Sequence, residues 1–325
     1  MKPLAAQRQE AVRVGAFIVL ALSDDQAQAL ATRRLLTRGY HIQSTAHFVV
    51  CRKAASDQVV LLHRIRRENL DADLLRWLND ELASFGIIAS AKDYGALLFA
   101  FLASPFPPPR DQRAIWRHFC LTTLLRLRER MAISSASSSV LEAASQIAAF
   151  AAIYRRIEEL AVGQSVLDVG SSFGFLPVLL AERCPQARIV GCDNNPDLVS
   201  LASDLAYASG VPQVAFQLAD VLTADFAKLG TFETVTAIHL LEHLTEDEVP
   251  IALTHLLAVT TRRLLIAVPY EEVVQPLYGH RQVFTPDTLR RWGAWCVSAL
   301  NGAASFWCEE VMGGLLIVER RGEPG

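Results

Sequence analysis

Three aspartates close three successive short apolar runs in the second half of the chain: Asp168 in Val166-Leu-Asp-Val-Gly170, Asp193 in Ile189-Val-Gly-Cys-Asp193 and Asp220 in Gln217-Leu-Ala-Asp220-Val221. The first is followed by Gly170-Ser171-Ser-Phe-Gly174, and glycines at that spacing let a backbone turn tightly and come close to a ligand. A dinucleotide fingerprint needs G-x-G-x-x-G and a helix amino terminus facing a pyrophosphate, whereas this stretch reads G-x-x-x-G with a carboxylate beside it. That carboxylate repels a pyrophosphate and suits a ligand carrying an ammonium and a sulfonium. Asp193, 23 residues after Gly170, stands where an acid can accept both hydroxyls of a ribose. Asp220 can accept from an adenine amino group while Val221 packs on the ring; its bland alternative is a helix N-cap. Ser171, Asn194 and His239 adjoin these positions and complete the candidate cofactor set.

A second group of side chains could move a proton. The fourth apolar run ends in His239-Leu-Leu-Glu242-His243, the loop after the fifth supplies Tyr270, Glu271 and Glu272, and a further loop supplies Tyr278 and His280. Imidazole is the usual base near neutral pH, so His280, His243 and Glu271 are the catalytic candidates, against a packing role for each histidine. His280, beside Gly279, is expected in an exposed loop. Glu242, Glu271 and Glu272 could in principle hold a cation, but no Asp-Asn pair accompanies them, and no metal is expected.

These residues need a parallel sheet to bring them together. Runs at Ser165–Val169, Arg188–Cys192, Val214–Leu218, Thr234–His239 and Arg263–Val268 alternate with helical candidates at Gly174–Arg183, Pro196–Tyr207 and Glu246–Ala258. Such alternation implies a doubly wound, mostly parallel α/β sheet, with its ligand outside the carboxyl ends of the strands. Ahead of it, residues 1–110 read as a smaller α+β unit, with strands at His47–Cys51 and Gln58–His63 and a helix over Asp71–Ser84. Residues 111–160 read as a helical connection, from Ile115–Met131 and Val140–Leu160 with a hinge or cap at Ser134–Ser139, and 161–325 as the cofactor-binding domain. Pro105-Phe-Pro-Pro-Pro109 marks a boundary or a rigid turn.

Composition narrows the classes. The chain has 325 residues, 51% apolar and 20% charged, enough for a core and against disorder. Its longest charge-free apolar runs, near Val14–Leu22 and Tyr94–Leu102, fall short of the ~20 residues that span a bilayer. With no readable leader, the expectation is a cytoplasmic protein. Six cysteines lack metal or redox spacing and are expected to be buried thiols. Residues 1–160 carry 21 Lys+Arg against 15 Asp+Glu, and 161–325 carry 10 against 19. The acidic second half repels a phosphate backbone and disfavours a nucleic-acid partner.

Leu167-Asp-Val-Gly-Ser-Ser-Phe-Gly174, with Asp193 and Asp220-Val221, resembles the motifs of the class I S-adenosylmethionine-dependent methyltransferases over residues 163 to about 320. The resemblance implies a Rossmann-like seven-stranded sheet, completed by a hairpin of Ser305–Cys308 and Leu315–Glu319, with S-adenosylmethionine as cofactor. Gly174-Phe-Leu-Pro177, His239-Leu-Leu-Glu-His243-Leu, Val268-Pro-Tyr-Glu-Glu272 and Tyr278-Gly-His280 are similar to the mycofactocin oligosaccharide methyltransferases. That implies O-methylation of a glycan hydroxyl or another small hydroxylated acceptor, with residues 1–160 recognising the acceptor and covering the site. The alternatives are N- or C-methylation of a small metabolite, a non-catalytic S-adenosylmethionine-binding module, and a nicotinamide oxidoreductase. Amino-group methylation of nucleic acid is disfavoured because no (D/N)-P-P-Y follows the fourth run.

Overall fold

The computed structural model describes residues 10–54, 56–133 and 145–321. The chain divides into two compact units, 1–126 with 145–147 and 127–144 with 148–325, and the division falls inside a helix. The proline-rich stretch therefore lies within the first unit, as the turn between two of its helices. The Ser134–Ser139 segment and the start of the helix expected from Val140 lie outside the described residues.

In the first unit the elements are β1 (Val12–Val14), β2 (Phe17–Ala21), α1 (Asp25–Leu36), β3 (His41–Ser44), β4 (Phe48–Lys53), β5 (Ser56–His63), α2 (Asp73–Trp77), α3 (Ala91–Ala103) and the first part of α4 (Gln112–Ala132). Its sheet has the order β1-β2-β5-β4-β3, with β2 and β5 parallel and the other pairs antiparallel. The run near Val14–Leu22 is thus a strand, and β2 alternates buried and half-buried residues along its length. The helix expected over Asp71–Ser84 is broken: α2 widens into a π-turn over Leu78–Leu82 and ends in a 3-10 turn, Ala83–Phe85. Leucines four apart drift around an α-helix by about 40° per step. Widening one turn cancels the drift, and Leu74, Leu78 and Leu82 all stay buried.

The second unit contains α5 (Gln146–Leu160) from Ala148 onward, β6 (Ser165–Val169), α6 (Phe175–Arg183), β7 (Arg188–Asp193), α7 (Pro196–Ala208), β8 (Ala215–Leu218), β9 (Phe232–Ile238), α8 (Val249–Val259), β10 (Thr260–Val268), α9 (Pro286–Ala299), β11 (Ala304–Glu310) and β12 (Gly314–Arg320). The seven strands lie in the order β11-β12-β10-β9-β6-β7-β8. Strands β6 to β10 pair in parallel, and β12 is antiparallel to both neighbours. This is the Rossmann-like methyltransferase fold the sequence implies. Four of the five parallel runs, β6, β7, β9 and β10, are mostly buried, as helix-covered strands are, while the edge strand β8 is exposed or half-buried. Leu167, Val190, Val235, Leu264 and Leu316 pack under Leu253, Leu256 and Leu257 of α8 in one core. The chain steps outward from β6 through β7 to β8 and then returns to β9 on the other side of β6. The sheet reverses between β6 and β9, the place where such sheets bind ligands.

All six cysteines are free; Cys51, Cys120, Cys192 and Cys296 are buried as expected, but Cys184, at the end of α6, is exposed and Cys308, on the edge strand β11, is half-buried. No helix among the described residues is long and apolar enough to cross a membrane.

Candidate active site

At the end of β6 the Asp168 side chain is buried, and the Thr236 hydroxyl of β9 donates to its Oδ1 at 2.6 Å. Burial pushes its carboxyl up to about 7; the Thr236 hydrogen bond opposes that shift and the nearby Asp193 adds to it. The loop that follows is pinned to the next strand, for the N–H groups of Gly170 and Ser171 both donate to the Cys192 carbonyl, at 2.8 and 2.9 Å. Gly170, Ser172 and Gly174 have φ of 71°, 49° and 79°. At Gly174 a Cβ would stand 2.6 Å from the Phe216 ring and 2.9 Å from the Ala202 Cβ, so only glycine fits. The Ser171 hydroxyl is buried without a partner.

Asp193, at the end of β7, ties two loops together. Its Oδ2 accepts from Ser172 N–H and its Oδ1 from Asn195 N–H, each at 2.9 Å. Each oxygen keeps a second lone pair. Asn195 caps α7, accepting from Asp197 N–H, while Asn194 is exposed. After β8, Asp220 accepts from Leu222 N–H at 2.9 Å through Oδ1, so it supports a local turn and not a regular helix cap. Asn194 and Asp220 line one cleft of about 570 Å³ beside the ends of β7 and β8. Val221 is buried in the core, and its carbonyl accepts from His255 Nδ1.

The histidines converge at the ends of β9 and β10. His239 has φ 52°, its N–H donates to the Ala267 carbonyl, and its Nε2 is buried without a partner. Burial pushes its imidazole down to about 4, with His280 and His243 adding to the effect. In the 3-10 turn Leu241–His243, the Glu242 side chain is 1% exposed and neither carboxylate oxygen has a hydrogen-bond partner. Burial raises its carboxyl to about 8, and Glu271 reinforces the shift. Burial also lowers the His243 pKa, a hydrogen bond to the Gly279 carbonyl resists, and the His243 and His280 rings meet edge-on, 5.0 Å apart.

His280 stands in no exposed loop: its side chain is 8% exposed, and its Nδ1 lies 2.9 Å from Glu271 Oε2. Backbone pairing explains the burial. Arg281 N–H donates to the Glu242 carbonyl, and the Gln282 amide donates to the carbonyls of Leu241 and Leu244, which joins the loop after β10 to the turn after β9. Tyr270 bridges to Phe284, and Glu272 is exposed. Asp168, Asp193, Glu242, His243, Glu271 and His280 thus lie at one end of one sheet. Sequence reasoning missed Thr236, whose hydroxyl facing Asp168 was readable from the two-residue periodicity of β9, and the Ser172 N–H, for which no side-chain signal exists.

The residues present fit S-adenosylmethionine: a buried carboxylate for its positive end, a loop that a Cβ would fill, and an unpartnered hydroxyl in that loop. Comparison with known proteins agrees. Residues 166–262 match the family model described as methyltransferase domain. The demethylmenaquinone methyltransferase of Thermus thermophilus is 36% identical over 85 residues, which are 25% of this chain and 38% of that protein. The release factor glutamine methyltransferase of Chlorobaculum tepidum is 41% identical over 64 residues, 19% of this chain and 22% of that protein. The chain thus spans less than two fifths of the length of these curated relatives. Among solved structures, magnesium protoporphyrin IX methyltransferase from Synechocystis PCC 6803 with bound S-adenosylmethionine aligns at 17% identity and a TM-score of 0.42, over 66% of this chain and 100% of that one. The family match and the order of the strands support a methyltransferase domain over residues 166–262, with S-adenosylmethionine as its cofactor.

Proposed function

We propose that the whole chain transfers the methyl group of S-adenosylmethionine to the oxygen of a hydroxylated acceptor. The observation that carries this reading is the near-buried His280–Glu271 pair, 2.9 Å apart, with His243 against it, at the same end of the sheet as Asp168 and Asp193. The cofactor supplies an electrophilic methyl, so that the acceptor gains a methyl ether bond, the sulfonium C–S bond breaks, and S-adenosylhomocysteine leaves. An alcohol is a poor nucleophile and has to lose its proton in that step, which a positioned imidazole favours. His280, His243 and Glu271 are the residues proposed to serve the acceptor hydroxyl. Asp168, Gly170, Ser171, Gly174, Asp193, Asn194, Asp220 and His239 are proposed to hold the cofactor. Val221 is proposed to act from within the core, by shaping the adenine side of the cleft. A glycan hydroxyl is the acceptor that the four stretches named above favour.

The test is incubation of the full chain with methyl-deuterated S-adenosylmethionine and two acceptor sets, short oligosaccharides and amine metabolites, with the labelled position found by fragmentation mass spectrometry. Label on oxygen is the expected result. Label only on nitrogen or carbon, or no release of S-adenosylhomocysteine with any acceptor although it binds, would replace this reading with one of the alternatives.

Asp168 couples the stability of the cofactor-free protein to pH. In the cofactor-free fold its carboxyl titrates near 7 instead of 3.8, and between those values the folded chain holds a proton that the unfolded chain has released. The stability of the cofactor-free protein should therefore fall as pH rises from about 4 to about 7. The facing groups Thr236, Asp193, Cys192 and Tyr154 supply no positive charge to oppose this. Thermal melts between pH 5 and 8 check it. The parent should lose stability relative to Asp168→Asn as pH rises through that window, and parallel profiles would count against the shifted carboxyl.

A further inference from the structure

We propose that Glu242, His243 and His280 form a binding site for one divalent first-row transition cation. One carboxylate oxygen of Glu242 and one nitrogen of each imidazole lie within 4.8 Å of one another. The Glu242 carboxylate is the observation that asks for a ligand. It is 1% exposed, neither oxygen has a hydrogen-bond partner, and His239 Nδ1 stands 3.3 Å from Oε1 without making one. A buried carboxylate with nothing to accept from is costly, and such groups are ordinarily paired or bound to a metal.

The two imidazoles are set up as ligands. Carbonyl and carboxylate oxygens only accept, so His243 Nδ1–H donates to the Gly279 carbonyl at 3.2 Å and His280 Nδ1–H donates to Glu271 Oε2 at 2.9 Å. In both rings this leaves the Nε2 lone pair for a cation, the arrangement by which a carboxylate or carbonyl orients a metal-bound histidine. Glu271 then acts as a positioning residue through His280. The pairing of Arg281 N–H with the Glu242 carbonyl, and of Gln282 with Leu241 and Leu244, holds the two loops together before any cation arrives.

Two imidazoles with one carboxylate favour zinc, cobalt, iron or manganese over magnesium or calcium, which prefer all-oxygen sets. Ligand atoms about 2.0–2.1 Å from a tetrahedral cation stand roughly 3.4 Å apart, so binding draws ligand atoms that lie within 4.8 Å together by at most about 1.4 Å. Three protein ligands leave positions open, and a hydroxyl taken up there would have its pKa lowered. The site does not depend on methyl transfer for its existence. It does revise the expectation that the chain holds no metal, and it makes the two imidazoles ligands where the proposed function uses them beside the acceptor.

The experiment is titration of the full, chelator-treated chain with cobalt(II), followed by visible absorption and calorimetry, with S-adenosylhomocysteine binding measured on the same samples. One cobalt per chain is expected, with d–d bands but without the near-ultraviolet sulfur-to-cobalt band that a cysteine site gives. Glu242→Gln, of nearly the same shape, and His243→Gln should each weaken binding roughly tenfold or more, while Asp247→Asn should leave it unchanged. Absence of stoichiometric cobalt in the parent chain, a sulfur-to-cobalt band, or unchanged affinity in folded Glu242→Gln and His243→Gln would overturn the site. If either variant fails to fold, the parent's stoichiometry and band pattern still decide. A parent chain that binds S-adenosylhomocysteine but no cobalt sinks the metal site and leaves the methyltransferase reading standing, and a parent chain that binds cobalt but no S-adenosylhomocysteine sinks that reading alone.

Discussion

Asp193→Ala is expected to lower the affinity for S-adenosylhomocysteine by about 100-fold or more, the largest loss of any single change outside the glycine loop. Two effects add. The proposed contacts to the ribose hydroxyls are charge-assisted and each contributes about 1.5–3 kcal/mol, which together exceed the ~2.7 kcal/mol that corresponds to 100-fold. The same carboxylate also accepts from Ser172 and Asn195, so its removal releases the loop after β6 and the start of α7. Asp193→Asn keeps one acceptor oxygen and turns an amide toward a backbone N–H, so it should fall between the two. Calorimetric titration of folded protein reads the effect, and an unchanged dissociation constant in Asp193→Ala would remove Asp193 from the cofactor site.

His280→Ala should reduce turnover by about 100-fold or more while leaving S-adenosylhomocysteine affinity within about threefold. The imidazole contacts Glu271 and His243, so its loss is expected to reach the acceptor and not the adenosine. This holds whether the ring takes the acceptor's proton or holds a cation beside it. Its near burial makes a fold check necessary, and a melting temperature close to the parent's is the condition for reading the kinetics. His243→Ala should also lower turnover, with a greater loss of stability, because its ring packs on His280 and its Nδ1 ties to Gly279. A folded His280→Ala enzyme that turns over at the parental rate would place the chemistry elsewhere.

The second unit was legible in the sequence because its inner parallel strands β6, β7, β9 and β10 are mostly buried. A strand covered twice is written as a continuous apolar run, and β6 to β10 begin and end within a few residues of those runs. Helix α9 went unread although Leu289, Trp292, Gly293 and Cys296 recur at helical spacing and all are buried. Its two arginines, and a glycine on the buried face itself, hide that face from a count of hydrophobic residues. In the first unit, β1 is three residues long and the four residues of β3 are exposed or half-buried, so neither carries an apolar signal.

The candidate site was legible in part for similar reasons. Acids at strand ends announce themselves by position, and Asp168 and Asp193 both prove to be buried hydrogen-bond acceptors. The isolation of Glu242 does not show in the sequence, because it depends on the loop after β10 folding back through Arg281 and Gln282. The burial of His280 depends on the same pairing, and beside a glycine the sequence argues the opposite. Local spacing names candidate side chains; which of them lose solvent is decided by contacts between segments about 40 residues apart, such as Leu241 with Gln282.

The most direct test is a crystal structure of the full chain with S-adenosylhomocysteine. The expected result is one molecule per chain across the carboxyl ends of β6 to β9, its ribose hydroxyls within hydrogen-bond distance of the Asp193 carboxylate and its sulfur on the side of His239, His243 and His280. A molecule bound elsewhere, or one in this cleft with its ribose away from Asp193, would contradict the assignment of the site.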